Sequence, residues 1–223
     1  MANLFDGYDE TAKWRLMVGT GKSALEGAGF SMAKIPGRGL SNVWSIEKDG
    51  KKQTACIRTT RDRWIAFPPL AKATKWKTLD EVDLVVVATV DSKDDPQEIL
   101  VYIFPADDVR KRFNANVAAR VSAGQPPRDN FGMWVALDPD QRGLPASVGS
   151  GIVDKYKPIA EYSLRSLLVT STAEGEPATS EDEPDNNPQP ATVAEVMAEA
   201  RERVASLLGV RPDAVKLDLK VEY

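Results

Sequence analysis

The side chains best able to do chemistry in this sequence are the cations and aromatic rings of a basic stretch between residues 48 and 77. Its cations are Lys48, Lys51, Lys52, Arg58, Arg61, Arg63, Lys72, Lys75 and Lys77, against two acids, Asp49 and Asp62. Trp64, Phe67 and Trp76 lie among them. Cations neutralise phosphates and aromatic rings stack on bases, so this composition is typical of a nucleic-acid-binding surface.

Two sets of residues in this stretch are therefore candidates for nucleic-acid binding. Trp64 and Trp76, each near cations, are the candidates for stacking on a base. The candidates for phosphate contacts are Lys51, Lys52, Arg58, Arg61, Arg63, Lys72, Lys75 and Lys77. Trp14, Trp44 and Trp134 are expected in the core. A second interpretation stays open, in which the lysines form a solvated sheet edge that blocks pairing with another sheet.

The residue types that the chain lacks restrict its chemistry further. The 223 residues include no histidine and one cysteine, Cys56. Within this chain, these counts exclude Ser-His-Asp and Cys-His catalysis, histidine metal sites, a disulfide framework and cysteine zinc clusters. Any catalysis has to rest on Asp, Glu, Lys, Ser, Thr or Tyr.

Cys56 and Arg58 are two residues apart in a segment with the pattern of a strand, so their side chains share one face of a sheet. We expect Cys56 to be a small buried hydrophobe. Arg58 is then either a functional cation or the partner of a buried acid, and the sequence leaves both roles open.

Hydrophobic periodicity and turn residues predict the elements that position these side chains. Helices are predicted over 8–27, 106–121 and 156–168, and Val109, Phe113 and Val117 form the buried stripe of the second. Strands are predicted over 30–35, 42–47, 53–60, 63–67, 82–90, 98–104 and 132–137. Asp49-Gly50 predicts a hairpin turn. This order predicts an α/β domain with a central mixed sheet flanked by helices.

The composition changes after residue 170. Residues 171–192 hold six acids, four prolines and no cation, which predicts a disordered acidic Pro-rich linker. The remaining residues carry 29 cations against 27 acids, although the net charge of the whole chain is −4. A helix over 193–208 and a strand over 215–223 are predicted after the linker. We therefore expect a core domain at 1–170, the linker at 171–192 and a small helix–strand module at 193–223.

The order of elements between residues 8 and 120 follows a recognisable pattern of helix, glycine-ended turn, short strand, hairpin, two apolar strands and helix. The segments that carry it are Glu26, Ala28–Met32, Ile35-Pro36, Ser41–Val43, Asp49–Lys51, Cys56–Thr60, Val82–Val86 and Val101–Pro105. In this order they resemble the restriction-endonuclease-like, or PD-(D/E)xK, nuclease superfamily, especially its small resolvase-like and homing-type members. The resemblance covers about half of the chain.

At the positions where the resemblance implies catalytic residues, this chain carries other residue types. Active members of the superfamily hold Mg²⁺ with two carboxylates and position the attacking water with a lysine. The matching positions here are Asn42, Cys56 and Arg58. Asparagine is a poor divalent ligand, cysteine is too soft for Mg²⁺, and arginine stays protonated. The resemblance therefore implies a degenerate member that keeps a phosphate-facing scaffold.

Three functional hypotheses follow. The leading one is a non-catalytic nucleic-acid-binding or accessory protein on a decayed nuclease-like fold, with DNA or RNA as partner and no cofactor. The second is a weakly active Mg²⁺-dependent nuclease that uses Glu26, Glu47 and Asp49. The third is a protein-interaction subunit, in which residues 193–223 bind a partner protein or a second copy of the chain.

The hydropathy pattern indicates where in the cell the protein is expected. No apolar run approaches the roughly 20 residues that a membrane helix needs. The first ten residues are polar and acidic, unlike a signal peptide. We therefore expect a cytoplasmic protein without a membrane partner.

Overall fold

The computed structural model describes residues 4–5, 8–35, 42–129 and 132–173, with side chains described as far as residue 169. These residues belong to the first of two compact units, Met1–Glu183 and Pro184–Tyr223. The predicted linker beyond residue 173 and the predicted helix–strand module at 193–223 lie outside the described residues, so both stay predictions.

A mixed sheet of six strands organises the described part of the chain, in the order β1-β2-β3-β7-β8-β10. Only β3 and β7 pair in parallel within it. The short strands form two further sheets, β4 with β9 and β5 with β6. The strands are β1 (Ser31–Lys34), β2 (Val43–Lys48), β3 (Lys51–Thr60), β4 (Trp64–Ala66), β5 (Pro69–Leu70), β6 (Lys75–Trp76), β7 (Leu84–Val90), β8 (Glu98–Pro105), β9 (Trp134–Ala136) and β10 (Ala160–Ser163). The prediction of a central mixed sheet flanked by helices is confirmed.

The described helices are α1 (Glu10–Gly27), α2 (Ala106–Ser122) and α3 (Leu164–Ala173), together with three short 3₁₀ turns. Asp9 caps α1, where its carboxylate accepts from the Ala12 N–H at 2.7 Å. The predicted stripe of α2 is confirmed, because Val109 and Phe113 are fully buried and Val117 packs beside them. These helices start and stop within two residues of the predicted bounds, except for α3.

The β2–β3 hairpin forms as the Asp-Gly pair predicts. Asp49 and Gly50 both have positive φ, at 51° and 73°, which matches the right-handed twist of the two strands. Lys48 faces Lys51 across the turn, and the register continues as far as Val43 opposite Cys56. The turn therefore determines that Val43 of β2 lies beside Cys56.

The two faces of the sheet bury separate apolar clusters, and β7 contributes to both. Val85 and Val87 pack with the α2 cluster, whereas Val86 and Ala88 pack with the α1 cluster. Helix α1 approaches its face closely at Gly21, where an added Cβ would come within 3.1 Å of Ile57. Because β7 is covered on both faces, it consists almost entirely of buried apolar residues.

The helix predicted over 156–168 is wrong in its first half. Residues 160–163 form β10, which pairs antiparallel with β8, and helix α3 starts only at Leu164. Ala160 and Tyr162 pack on the α1 cluster while Glu161 and Ser163 are exposed, which is the two-residue period of a strand. The open edge of β8 supplies backbone partners for this segment, and that long-range pairing outweighs its helical pattern.

Candidate anion site and cationic surface

The face of β3 toward α2 holds the two side chains that the sequence placed together. Cys56 is buried in the α2 cluster, and Arg58 lies against Phe67 of the same cluster, so the shared face is confirmed. Burial raises the pKa of the Cys56 thiol, and the nearby Arg58 charge opposes that effect only in part. Cys56 is therefore a small buried hydrophobe with an unreactive thiol, as predicted.

Arg58 has no charge partner in the part of the chain that the structure describes. Its guanidinium carbon lies 4.8 Å from the centre of the Phe67 ring. Its Nε and Nη2 atoms are buried and make no hydrogen bond. Buried donors without acceptors are rare in proteins and cost about 1–3 kcal/mol each. Of the two roles left open by the sequence, a partner for a buried acid therefore has no support among the described residues.

An oxyanion would satisfy the Arg58 guanidinium. The guanidinium is a planar fork whose parallel N–H groups match the oxygens of a phosphate or carboxylate. The side chain as a whole is partly exposed, and the Phe67 ring supports one side of the cation. The arrangement is therefore that of a cation held in place without a fixed counter-ion among the described residues.

Arg63, in contrast, already has a carboxylate and a carbonyl as partners, which weighs against its predicted role as a phosphate clamp. Its Nε and Nη2 atoms donate to the Asp138 carboxylate at 2.6 and 2.8 Å, and Nη1 donates to the Val90 carbonyl at 2.6 Å. The bond to Asp138 raises the pKa of Arg63 above its ordinary value. The bidentate pair ties the start of β4 to the end of β9, so Arg63 is a structural residue.

Trp76 is also misassigned by the sequence, because it is 2% exposed and cannot stack on a base. Its ring packs edge-on against Phe113 at 5.0 Å, and its indole N–H donates to Asn114 at 2.9 Å. The exposed lysines on either side made it resemble a surface residue. The two-residue strand β6 turns Trp76 inward and its neighbours outward. Trp64 is half-buried and remains a stacking candidate.

The remaining predicted cations are exposed but do not form one patch. Lys51 and Lys52 lie at the hairpin tip, at the start of β3, while Arg61 follows its end. A strand of ten residues at about 3.3 Å each separates them by about 30 Å. Arg61 pairs at 2.5 Å with Glu10 of α1, and both side chains are half-exposed, so this pair can exchange for another anion.

A second group of exposed cations surrounds the β5–β6 hairpin. We call Lys72, Lys75 and Lys77 the turn lysines; none of them makes an ion pair with a described residue. Ala71, Lys72 and Ala73 all have positive φ, an unfavourable conformation for residues with a Cβ. The Asp129 carboxylate holds this turn by accepting from the Lys72 backbone N–H at 2.8 and 3.0 Å.

The acids of the nuclease alternative do not assemble a metal site. Glu26 is exposed in the last turn of α1, Glu47 is exposed opposite Lys52, and Asp49 lies in the hairpin turn. No group of three or more Asp, Glu, Cys or His side chains among the described residues could hold a metal ion. The Ile57 N–H donates to the Asn42 carbonyl at 2.9 Å, which continues the β2–β3 register. Asn42 is therefore opposite Ile57 on the α1 face of the sheet, and not on the face that carries Cys56 and Arg58.

Sequence reasoning missed a groove beside Trp134. Trp134 was expected in the core, yet it is 44% exposed, because the alternation along β9 turns Val135 inward and Trp134 outward. The groove has a volume of about 400 Å³. It is lined by Arg120, Gln125, Pro126, Pro127, Arg128, Gly132, Met133 and Trp134. The alternation of Met133, Trp134 and Val135 was the available signal, but the short strand gave it little weight.

Comparisons with known proteins assign no family to the chain. No protein-family model, no curated protein and no solved structure matches it. Within the described ranges, no helix is both long and apolar enough to cross a bilayer. The resemblance to the restriction-endonuclease-like superfamily therefore stays a prediction.

Proposed function

We propose that this protein binds nucleic acid without cleaving it, and that Arg58 is its central phosphate-binding residue. The observation that carries the proposal is the Arg58 guanidinium, which is partly buried over Phe67 with two donor atoms unsatisfied and no described carboxylate beside it. A phosphodiester would supply the missing acceptors once the guanidinium turns toward solvent, because Nε and Nη2 are buried in this structure.

The surroundings of Arg58 support the non-catalytic part of the proposal. A metal-dependent nuclease needs carboxylates next to the scissile phosphate. The side chain nearest to Arg58 along this face of β3 is Cys56, which is buried in the apolar cluster, whereas Asn42 is opposite Ile57 on the other face. The order of elements in the sequence led us to a decayed nuclease-like fold, and the meander β1-β2-β3 with β7 parallel to β3 follows that order. The exposed hairpin-tip lysines and turn lysines supply further charge for a phosphate backbone.

The test is fluorescence anisotropy with labelled single- and double-stranded DNA and RNA, at low and moderate salt, with and without Mg²⁺. Wild type is expected to bind at least one probe with a strong salt dependence and to leave every probe intact. The Arg58→Met variant is expected to bind about tenfold more weakly or worse, since one charge-assisted hydrogen-bond pair is lost. The slope of the logarithm of its binding constant against the logarithm of the salt concentration is expected to decrease in magnitude by about one.

Arg165→Met is the matched control. Arg165 is exposed on α3, whose Leu164 and Leu168 pack on the opposite face of the sheet, and the substitution removes the same charge. It should change the affinity by no more than about twofold, as expected for an exposed charge away from the site. No binding by wild type at low salt would overturn the proposal, and cleaved probes would overturn its non-catalytic part. Equal losses in the two variants would remove Arg58 from its central role.

A further inference from the structure

The groove beside Trp134 combines an exposed aromatic ring with two arginines. Trp134 is one of few large apolar side chains exposed in the described part of the chain. Met133 is buried beside it, and Arg120 and Arg128 line the groove. A volume of about 400 Å³ falls within the range of small-molecule sites and suits a single nucleotide.

The Trp134 ring is held in position before any ligand arrives. Its six-membered ring lies against Gly132, where an added Cβ would come within 2.5 Å of ring carbon Cη2. The backbone beneath it is fixed by the pairing of Trp134 with Ala66 and by the Phe67 N–H, which donates to the Met133 carbonyl at 3.1 Å. A rigid ring loses little entropy on binding, which favours a preformed stacking platform.

The two arginines of the groove retain hydrogen-bonding capacity. The buried Asn116 amide donates to the Ala146 and Val148 carbonyls at 2.9 and 2.7 Å, so its oxygen is fixed in place. That oxygen accepts from Arg120 Nε at 2.8 Å, and the terminal nitrogens of Arg120 make no bond to a described residue. Arg128 is exposed and forms no ion pair within the described ranges. Both guanidinium groups can therefore contact an anion.

The charge around the groove selects a polyanion as its occupant. Asp129, the acid next to Arg128 in sequence, is engaged by the Lys72 backbone N–H, and this contact joins the turn lysines to the loop that forms the groove. A groove of aromatic and proline residues also suits a proline-rich peptide, but such a peptide needs no cluster of cations. Two arginines and the neighbouring lysines favour phosphates.

We infer that this groove binds an unpaired nucleotide of a single-stranded nucleic acid. The base stacks on the Trp134 indole, and Arg120 and Arg128 contact the adjoining phosphates. This inference rests on the proposed function and adds to it a preference for single strands, because a base inside a duplex cannot reach the ring.

The experiment compares labelled single-stranded DNA and RNA oligonucleotides with hairpin duplexes of the same sequences, for wild type, Trp134→Ala and Trp134→Phe. Trp134→Ala is expected to bind single strands about tenfold more weakly or worse and to bind duplexes within about twofold of wild type. Trp134→Phe keeps a ring and is expected to recover part of the loss. Neither change removes a charge, so the salt slope should be unaltered, whereas Arg120→Gln should lower it by about one.

Leu144→Ala is the control, since Leu144 is comparably exposed at 48% and does not line the groove. Thermal unfolding of each variant verifies that the fold is intact. If wild type binds no nucleic acid, the proposed function itself fails. If wild type binds and Arg58→Met weakens binding, but both Trp134 variants bind every probe like wild type, only the present inference is overturned. Trp134-dependent binding of a labelled proline decamer, with no effect of the variants on nucleic acid, would also overturn it.

Discussion

Replacing Arg58 by methionine is expected to stabilise the fold while it weakens ligand binding. Methionine is unbranched and apolar, and it can follow the path of the arginine stem over Phe67. The substitution removes two buried donors that have no acceptor among the described residues, Nε and Nη2. A residue kept for binding at the expense of stability should show this pair of opposite effects.

The expected magnitude follows from two opposing contributions. Relief of two unsatisfied buried donors is worth about 1–3 kcal/mol each, or about 2–6 kcal/mol together. The lost cation–π contact with Phe67 offsets about 1–2 kcal/mol of this gain. The free energy of unfolding should therefore rise by about 0–5 kcal/mol, with a central value of about 2.5 kcal/mol. Each kcal/mol corresponds to about 2–4 °C in Tm for a domain of this size.

Urea unfolding followed by tryptophan fluorescence measures the change, with Arg165→Met as the control that should stay within about 0.5 kcal/mol. Adding a short oligonucleotide at a hundred times its Kd should raise the unfolding free energy of wild type by about 2.7 kcal/mol. At the same oligonucleotide concentration, the gain for Arg58→Met should be about 1.4 kcal/mol or less, since its binding is expected to be at least about tenfold weaker. A destabilised Arg58→Met protein that still gains the full ligand stabilisation would refute the reasoning.

Three further predictions concern the rest of the described structure. Gly149→Ala should lose more than about 2 kcal/mol of unfolding free energy, because φ is +88° and the new Cβ would meet the Arg112 carbonyl oxygen at 2.4 Å; Gly143→Ala, with open space around it, should lose only about 1–2 kcal/mol for its positive φ. Lys155 and then Tyr156 lower the pKa of Asp108 to about 2 from an ordinary value near 3.8, so its stabilising effect is present above pH 4 and is lost as the pH falls toward 2. Urea titrations should therefore show the gap between wild type and Asp108→Asn closing over that range, and a constant gap would contradict the assignment. A thiol reagent at pH 8 should label Cys56 only after denaturation, since burial raises the pKa of this thiol, and rapid labelling of the native protein would show the opposite.

Features that depend on neighbours along the chain were predictable from the sequence. Strand β7 was evident from its run of valines, the β2–β3 turn from Asp49-Gly50, and the buried face of α2 from Val109 and Phe113. Each rests on a period or a turn conformation that a few adjacent residues determine. Strand β10 was not predictable in this way, because residues 160–163 form a strand by pairing with the edge of β8, which is distant in sequence.

Some features of the candidate site were likewise predictable from the sequence, and others depend on tertiary contacts. The sequence by itself determined the surplus of cations, the absence of histidine, and the shared face of Cys56 and Arg58. Only the tertiary structure decided which cations are neutralised. Arg63 pairs with Asp138, which is 75 residues away in sequence, whereas Arg58 on β3 pairs with no described carboxylate.

The wrong predictions for the burial of Trp76 and Trp134 also result from contacts between residues distant in sequence. Composition favoured Trp76 as the exposed ring and Trp134 as the buried one, and the structure reverses both. Trp76 is buried because α2 presents Phe113 and Asn114 to it, 37 and 38 residues further along the chain. Local residue types determine what a side chain can do, but burial and pairing are set by elements distant in sequence, and these decide whether it meets solvent, an acid or a ligand.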